Sequence, residues 1–552
     1  MAVSDLVAGM DMTSSRTLLV ITCLILSGLT GCVPTSPETP SPPSTSQSAT
    51  AVPPSPGPQT NPVDRDLLQN GGDLRVGVAS QASSWNPWDN SPFNLDPVLD
   101  AMTPRFFATG ADGGLQWDSA WLASEPEVTS EPGSMSVSYV LNPRAVWSDG
   151  TAISVADFQA TWRACTSGGP MCADRGFEHV AGIESRGGQI VVTYDGPYAE
   201  WAYTFARGPS RAETVVDHDP WYDLSGRQAS FSGPYVYSSV SATGVKLVRN
   251  PLWWDVYPKL DSIEVHVIAD PVLSYLRQEI DGFWVADANL FARASAIDGI
   301  VVRRSISPAG RYVVMNCGSG PLADPVVRQA VLRGLDRTRL SASDLAGWKW
   351  EGSVVNSPVW LTSQEQYVDL VTTAKTPFDL KTAATLLDED GWIQSDSGVR
   401  FKNGVALKWD FLVPTGDPIA ENEGFGLRVQ LADLGVELDL RYVDPGDEQD
   451  ADGMVGVTWL YTTPVSAASR YATGNDFAYS SDTVDSLLAR TQDLVDPVQQ
   501  VDLLNGVADL VWSEAPVLPL YEFPEVFFVR DGLANYGPSE LGTILWENVG
   551  WS

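Results

Sequence analysis

The chain has little chemistry of the kind that enzymes use. It carries three histidines in 552 residues, His179, His218 and His266, no Gly-Lys dipeptide and no H-E-x-x-H. A P-loop nucleotide site and a zincin centre are therefore excluded. Its five cysteines include no C-x-x-C pair, and with so few histidines a zinc site has no ligands to draw on. Positive charge is scarce as well: 34 basic against 69 acidic residues give a net charge of -35, which repels phosphate backbones and argues against nucleic acid. The run Asp444 to Gly453 is acidic, but counting a calcium loop from Glu448 puts Trp459 at its twelfth position, where a bidentate carboxylate is required. No metal, cofactor or catalytic residue is expected.

Only one apolar run is long enough to notice. Leu18 to Leu26 is almost wholly aliphatic, too short for the ~20 residues that cross a bilayer and of the length of a secretory h-region. It leads into Leu29-Thr30-Gly31-Cys32 and then a Pro/Ser/Thr tract. Small residues and a cysteine in that place resemble a bacterial lipoprotein signal, with Cys32 as the lipidated N-terminus of an extracytoplasmic protein held at the cell membrane. Arg16 is the sole basic residue before the run, and a start at Met12 leaves a cleaner n-region than one at Met1. Pro34 to Pro62 has almost no large apolar side chains, so burial cannot offset its ordering entropy. It is expected to be a disordered tether of roughly 30–40 Å.

The rest is 43% hydrophobic overall and too long for one core. Leu74, Val76 and Val78 alternate as in a strand, as do Val137, Tyr139 and Leu141. Ser154 and Asp157 read as a helix cap before Phe158, Trp162 and Cys165, and Gly187-Gly188 as a hairpin turn. Val245, Leu247 and Ile263, Val265, Val267 give further strands. Helices are expected from Asp324-Pro325, from Asp379 to Gly391, from Gly424 to Leu434 and from Asp496-Pro497, with a strand at Val436 to Tyr442. The mixture indicates α/β (α+β) lobes. Cys165 and Cys172, seven apart, can pair in an oxidising compartment, adding ~2–3 kcal/mol. Cys317 is left as a buried thiol.

The chain has 20 Trp, several in polar loops. Trp85-Asn86-Pro87-Trp88 and Trp459-Leu460-Tyr461-Thr462 suit a concave site that stacks on a ligand and orients it with a few polar contacts. Trp85, Asn86, Trp88, Trp459, Tyr461 and Thr462 are thus the candidate ligand-binding residues.

Tyr139-Val-Leu-Asn-Pro-Arg-Ala-Val-Trp-Ser-Asp-Gly150-Thr with Asp157-Phe158 resembles the signature of the bacterial extracellular solute-binding proteins of family 5. Ser232-Gly-Pro-Tyr235, Leu247 to Trp254, Pro258 to Ile263, Leu276 to Gly282, Asp324 to Ala330 with Asp336-Arg337, Ala384 to Trp392 and Leu518-Pro-Leu-Tyr521 follow in the family's order. The resemblance implies a two-lobed, type II periplasmic-binding-protein-like fold with an extra inserted domain and a hinge cleft. Mapped onto this chain it gives a signal over 1–31, a tether over 32–72, lobe I from 73–95, 228–312 and 518–552, an inserted domain over 96–227 and lobe II over 313–517. It implies a monomer that captures a peptide or other small ligand and passes it to ABC permease subunits. Peptide-binding members often carry W-x-x-D, the aspartate pairing with the ligand ammonium; here the fourth position is Thr462, a hydroxyl. That departure leaves a second reading, a regulatory or scaffold lipoprotein of cell-envelope (lipoglycan) assembly that keeps the fold without transport.

Overall fold

The computed structural model describes residues 57–79, 97–166, 172, 175–214, 230–285, 287–350, 354–445 and 453–552. Its backbone is organised by one ten-stranded mixed sheet. From one edge to the other the strands are Glu437–Val443, Lys408–Pro414, Met454–Leu460, Val301–Met315, Val517–Val529, Gly282–Trp284, Asp73–Val78, Ser262–Val267, Gly244–Arg249 and Tyr235–Ser241. A separate four-stranded antiparallel sheet is built from Glu127–Glu131, Ser134–Tyr139, Gln189–Tyr194 and Val180–Arg186. The hairpin between the last two turns on Gly187 and Gly188, at φ +61 and +86, values that residues with a Cβ adopt only at a cost.

Apolar side chains gather in separate centres. One lies between residues 313 and 521, where Met315, Phe411, Leu427, Leu431 and Leu518 are fully buried. A second lies between 106 and 206 and is aromatic: Phe106, Tyr139, Trp147, Phe158 and Phe205. The Phe158 and Phe205 rings sit 4.8 Å apart. A third joins the start, middle and end of the chain through Leu74, Tyr235, Leu247, Ile263, Val529 and Trp546. A smaller cluster around Phe283, Phe291 and Phe528 adjoins it. The helix Val155–Thr166 starts where both the amide and the hydroxyl of Ser154 donate to Asp157 Oδ2, at 2.7 and 3.1 Å. Cys165 and Cys172 form a disulfide with their Cα atoms 5.2 Å apart.

Two strands run through the middle of the large sheet and belong to both sides. Val301–Met315 pairs antiparallel with Val517–Val529, from Val301 opposite Val529 to Val314 opposite Val517. The upper halves pack into the third centre and its neighbour, the lower halves into the first. Their register shifts between Ile306 and Gly310 and again between Arg311 and Tyr312. Pro308 falls in the first irregularity, and Pro524 opposite Ile306 lacks a ladder donor. The connection between the centres is therefore weakest in hydrogen bonds at its midpoint.

Candidate functional site

The strand Met454–Leu460 ends beside this irregular stretch, and Tyr461 N donates to Pro308 O at 2.8 Å. Its last residues are the second of the two aromatic motifs. Trp459 lies on the sheet face opposite Gly456 and Thr458, its ring 4.7 Å from that of Tyr312, with the Arg470 guanidinium 5.1 Å above it. It lines a cavity of about 590 Å³ wholly within the 313–521 core, together with Val314, Val455, Val457, Arg470 and Phe477. Tyr461 and Thr462 point elsewhere, to the seam where that core meets the 106–206 core. Tyr461 is buried, its hydroxyl accepts from Gln364 Nε2 at 2.7 Å, and burial raises its ionisation well above the ordinary phenol range. Gln364 in turn abuts Gly113, where a Cβ would lie 3.4 Å from Nε2.

Thr462 Oγ1 is buried and has no hydrogen-bond partner among the described residues; the same holds for Ser363 Oγ, next to Gln364. Buried hydroxyls are normally satisfied, so these two flank the Gln364–Tyr461 bond with unused hydrogen-bonding capacity. Glu522 lies behind them, accepting from the amide (2.7 Å) and the hydroxyl of Thr362. Burial pushes its carboxyl up to about 7 against the opposing effect of those bonds. Burial alone raises Glu525 to about 7. A wall with hydroxyls, a carboxamide, a phenol and carboxyl groups held near neutrality suits a polar organic ligand with amide or amine groups. It offers no arrangement of nucleophile and base for catalysis.

The other candidates fall differently. Cys32, Trp85, Asn86 and Trp88 lie outside the described residues. Trp459 and Tyr461, two residues apart, line separate spaces. Gln364, Ser363, Glu522 and Glu200 were not anticipated. A signal for two of them exists: Glu200 and Glu522 are lone acids inside apolar runs, Tyr198-Ala-Glu-Trp-Ala and Leu518-Pro-Leu-Tyr-Glu-Phe, and a charge in such a run demands a specific partner.

The sequence profile of the bacterial extracellular solute-binding proteins, family 5, matches residues 119–480. The chain belongs to that family. Among curated relatives, the oligopeptide-binding protein OppA of Mycobacterium tuberculosis (strain H37Rv) is 28% identical over 522 residues, covering 89% of this chain and 86% of the relative. The glutathione-binding protein GsiB of Escherichia coli (strain K12) is 22% identical over 490 residues, covering 81% and 88%. Among solved structures, the periplasmic EDTA-binding protein EppA superposes with a TM-score of 0.75 at 20% identity, over 90% of this chain and 98% of that one. Lactococcal OppA, in its closed conformation with an endogenous peptide, gives 0.63 at 18% identity, over 87% and 100%. The fold is thus the two-lobed one of extracytoplasmic substrate-binding proteins, as the sequence motifs imply.

Proposed function

We propose that this family 5 protein is a lipid-anchored oligopeptide-binding protein that closes on its ligand and presents it to an ABC importer. The observation that carries the reading is the seam at Tyr461 and Thr462, where a wall with unsatisfied buried hydroxyls faces a different core across an irregular two-strand connection. Lobe I is assigned to 73–95, 228–312 and 518–552, the inserted domain to 96–227 and lobe II to 313–517. Ligand contacting both lobes favours the closed state, and closure is what a permease reads. The names of its relatives, oligopeptide- and glutathione-binding proteins among them, support peptide-like ligands. Thr462 in place of an aspartate removes a fixed counter-charge, so the ligand ammonium is expected to be bound through neutral acceptors or left near the seam.

Thermal unfolding of the full chain with synthetic peptide pools of two to nine residues tests this. A pool containing a ligand at about a hundred times its Kd should stabilise the protein by about 2.7 kcal/mol. Absence of stabilisation by every pool would remove peptides from consideration.

A further inference from the structure

Glu200 belongs to the 106–206 region, beside Trp201 and Tyr203, which pack towards its aromatic core. It is 4% exposed, yet its carboxylate is engaged 263 residues away. The Thr463 hydroxyl donates to Glu200 Oε2 at 2.8 Å, and Val465 N donates to Oε1 at 2.8 Å. Thr463 is itself the N-cap of the helix Pro464–Ser469, accepting from Ser466 N at 3.1 Å. The turn that follows Tyr461 and Thr462 is therefore held by two side chains: one from its own helix and one from the opposite core. Pro464 has no amide to offer, so Val465 N is the first free donor of that helix, and Glu200 takes it.

The surroundings of this contact are polar. A cavity of about 110 Å³ lies along the same seam, lined by Glu178, His179, Ser466, Thr491, Gln492 and Gln500 among others. His179 rests on the Tyr198 ring, with centroids 4.8 Å apart, and Val495 provides an apolar contact to the 106–206 core. A seam of this composition can separate and become hydrated at small cost, unlike a dry apolar one. A carboxylate that receives two bonds across it then supplies much of what holds it shut.

We propose that Glu200 is a positioning residue that couples closure to assembly of the ligand wall: only when the inserted domain meets lobe II does its carboxylate fix the 463–465 turn and thereby the orientation of Tyr461 and Thr462. This rests on the closing binding-protein reading and adds a residue that acts through Thr463 instead of touching the ligand.

Hydrogen–deuterium exchange and small-angle scattering on the full chain, without added peptide, test it. In Glu200→Ala, amides of the 463–469 segment should exchange about tenfold faster or more, the factor that loss of a hydrogen bond to a charged group implies. The radius of gyration should rise, while exchange in the Lys408–Pro414 strand stays as in the parent. Glu200→Gln keeps one acceptor and should give an intermediate effect; it carries the test alone if Glu200→Ala does not fold. Faster exchange with an unchanged radius would make Glu200 a static packing residue and overturn the coupling. Unchanged exchange would show that the contact does not form in solution and would overturn it too. Peptide titrations separate the two readings. If the parent binds no peptide and Glu200→Ala still opens it, the peptide reading falls and the coupling stands. If both bind peptide equally tightly with equal radii, the coupling falls and the peptide reading stands.

Discussion

Glu522 shows what a buried charge does to a strand that joins two cores. It lies on Val517–Val529 opposite Gly310, fully enclosed, and its two bonds from Thr362 do not compensate for burial, so its carboxyl rises to about 7 from the ordinary 4.5. Glu525 and Asp344 are pushed in the same direction, also to about 7 and chiefly by burial. The folded chain then holds more protons than the unfolded one between about pH 4.5 and 7, so its stability falls as pH rises through that window. Asp149 works below it: the Thr151 amide lowers its carboxyl to about 2, and the stability it adds is lost only in stronger acid. Urea unfolding should therefore give a higher free energy at pH 5 than at pH 7.5, with Glu522 contributing on the order of 1–3 kcal/mol of the difference. Glu522→Gln cannot titrate, retains an acceptor for Thr362 and should flatten the profile. An unchanged slope in that variant would show that Glu522 is ionised in the folded chain at pH 7.

At the scale of elements, the helix Pro418–Asp433 is fastened to the strand Val301–Met315 by Arg311 and Glu423, with Nε–Oε1 2.7 Å and Nη2–Oε2 2.6 Å. Their side chains are 5% and 0% exposed. Gly456 is required beside them, since a Cβ there would sit 2.3 Å from Glu423 Oε2. Arg311→Met leaves a buried carboxylate unpaired and should cost about 3–5 kcal/mol in urea unfolding, whereas Arg311→Met with Glu423→Leu should recover most of it. A double variant as unstable as the single one would mean that the loss comes from packing. Elements like this helix were readable in part. Strand alternation at Leu74–Val78 and Ile263–Val267 and the Asp-Pro starts at 324 and 496 correspond to elements in the structure. The helix expected from Gly424 begins six residues earlier, because Asp417-Pro418 is the same cap signal, with Asp417 Oδ1 accepting from Ile419 N and Ala420 N. The two connecting strands were not legible as strands. Ser305 to Gly310 contains Pro308 and no period-two alternation, and Val517 to Val529 is apolar on both faces because it is covered on both. Their pairing is a long-range fact that no local pattern encodes. The site divides in the same way: Trp459, Tyr461 and Thr462 stand out by composition, while Gln364, Ser363 and Glu200 reach the seam only through folding.

For the whole molecule, the question is how a chain with a net charge of -35 is kept where a permease can use it. Anionic lipid headgroups repel such a surface, so electrostatic adsorption to a membrane is unavailable and attachment has to be covalent or absent. Cys32, after an apolar run and before a Pro/Ser/Thr tract, is where the sequence offers that attachment. A single acyl chain binds only marginally, so a stable anchor requires more than one, and the tract would then give the lobes room to open without touching the bilayer. Cys32→Ala should leave the unfolding midpoint and peptide binding of the folded region unchanged, because the substitution lies outside every core. It should move the protein from the membrane fraction of expressing cells to the medium. Detergent partitioning of parent and variant, with an immunoblot of both fractions, reads the outcome directly. If Cys32→Ala stayed with the membrane, the anchor would have to lie in the uncleaved apolar run Leu18 to Leu26, and the lipoprotein assignment would be withdrawn while the family membership and the closing mechanism stood.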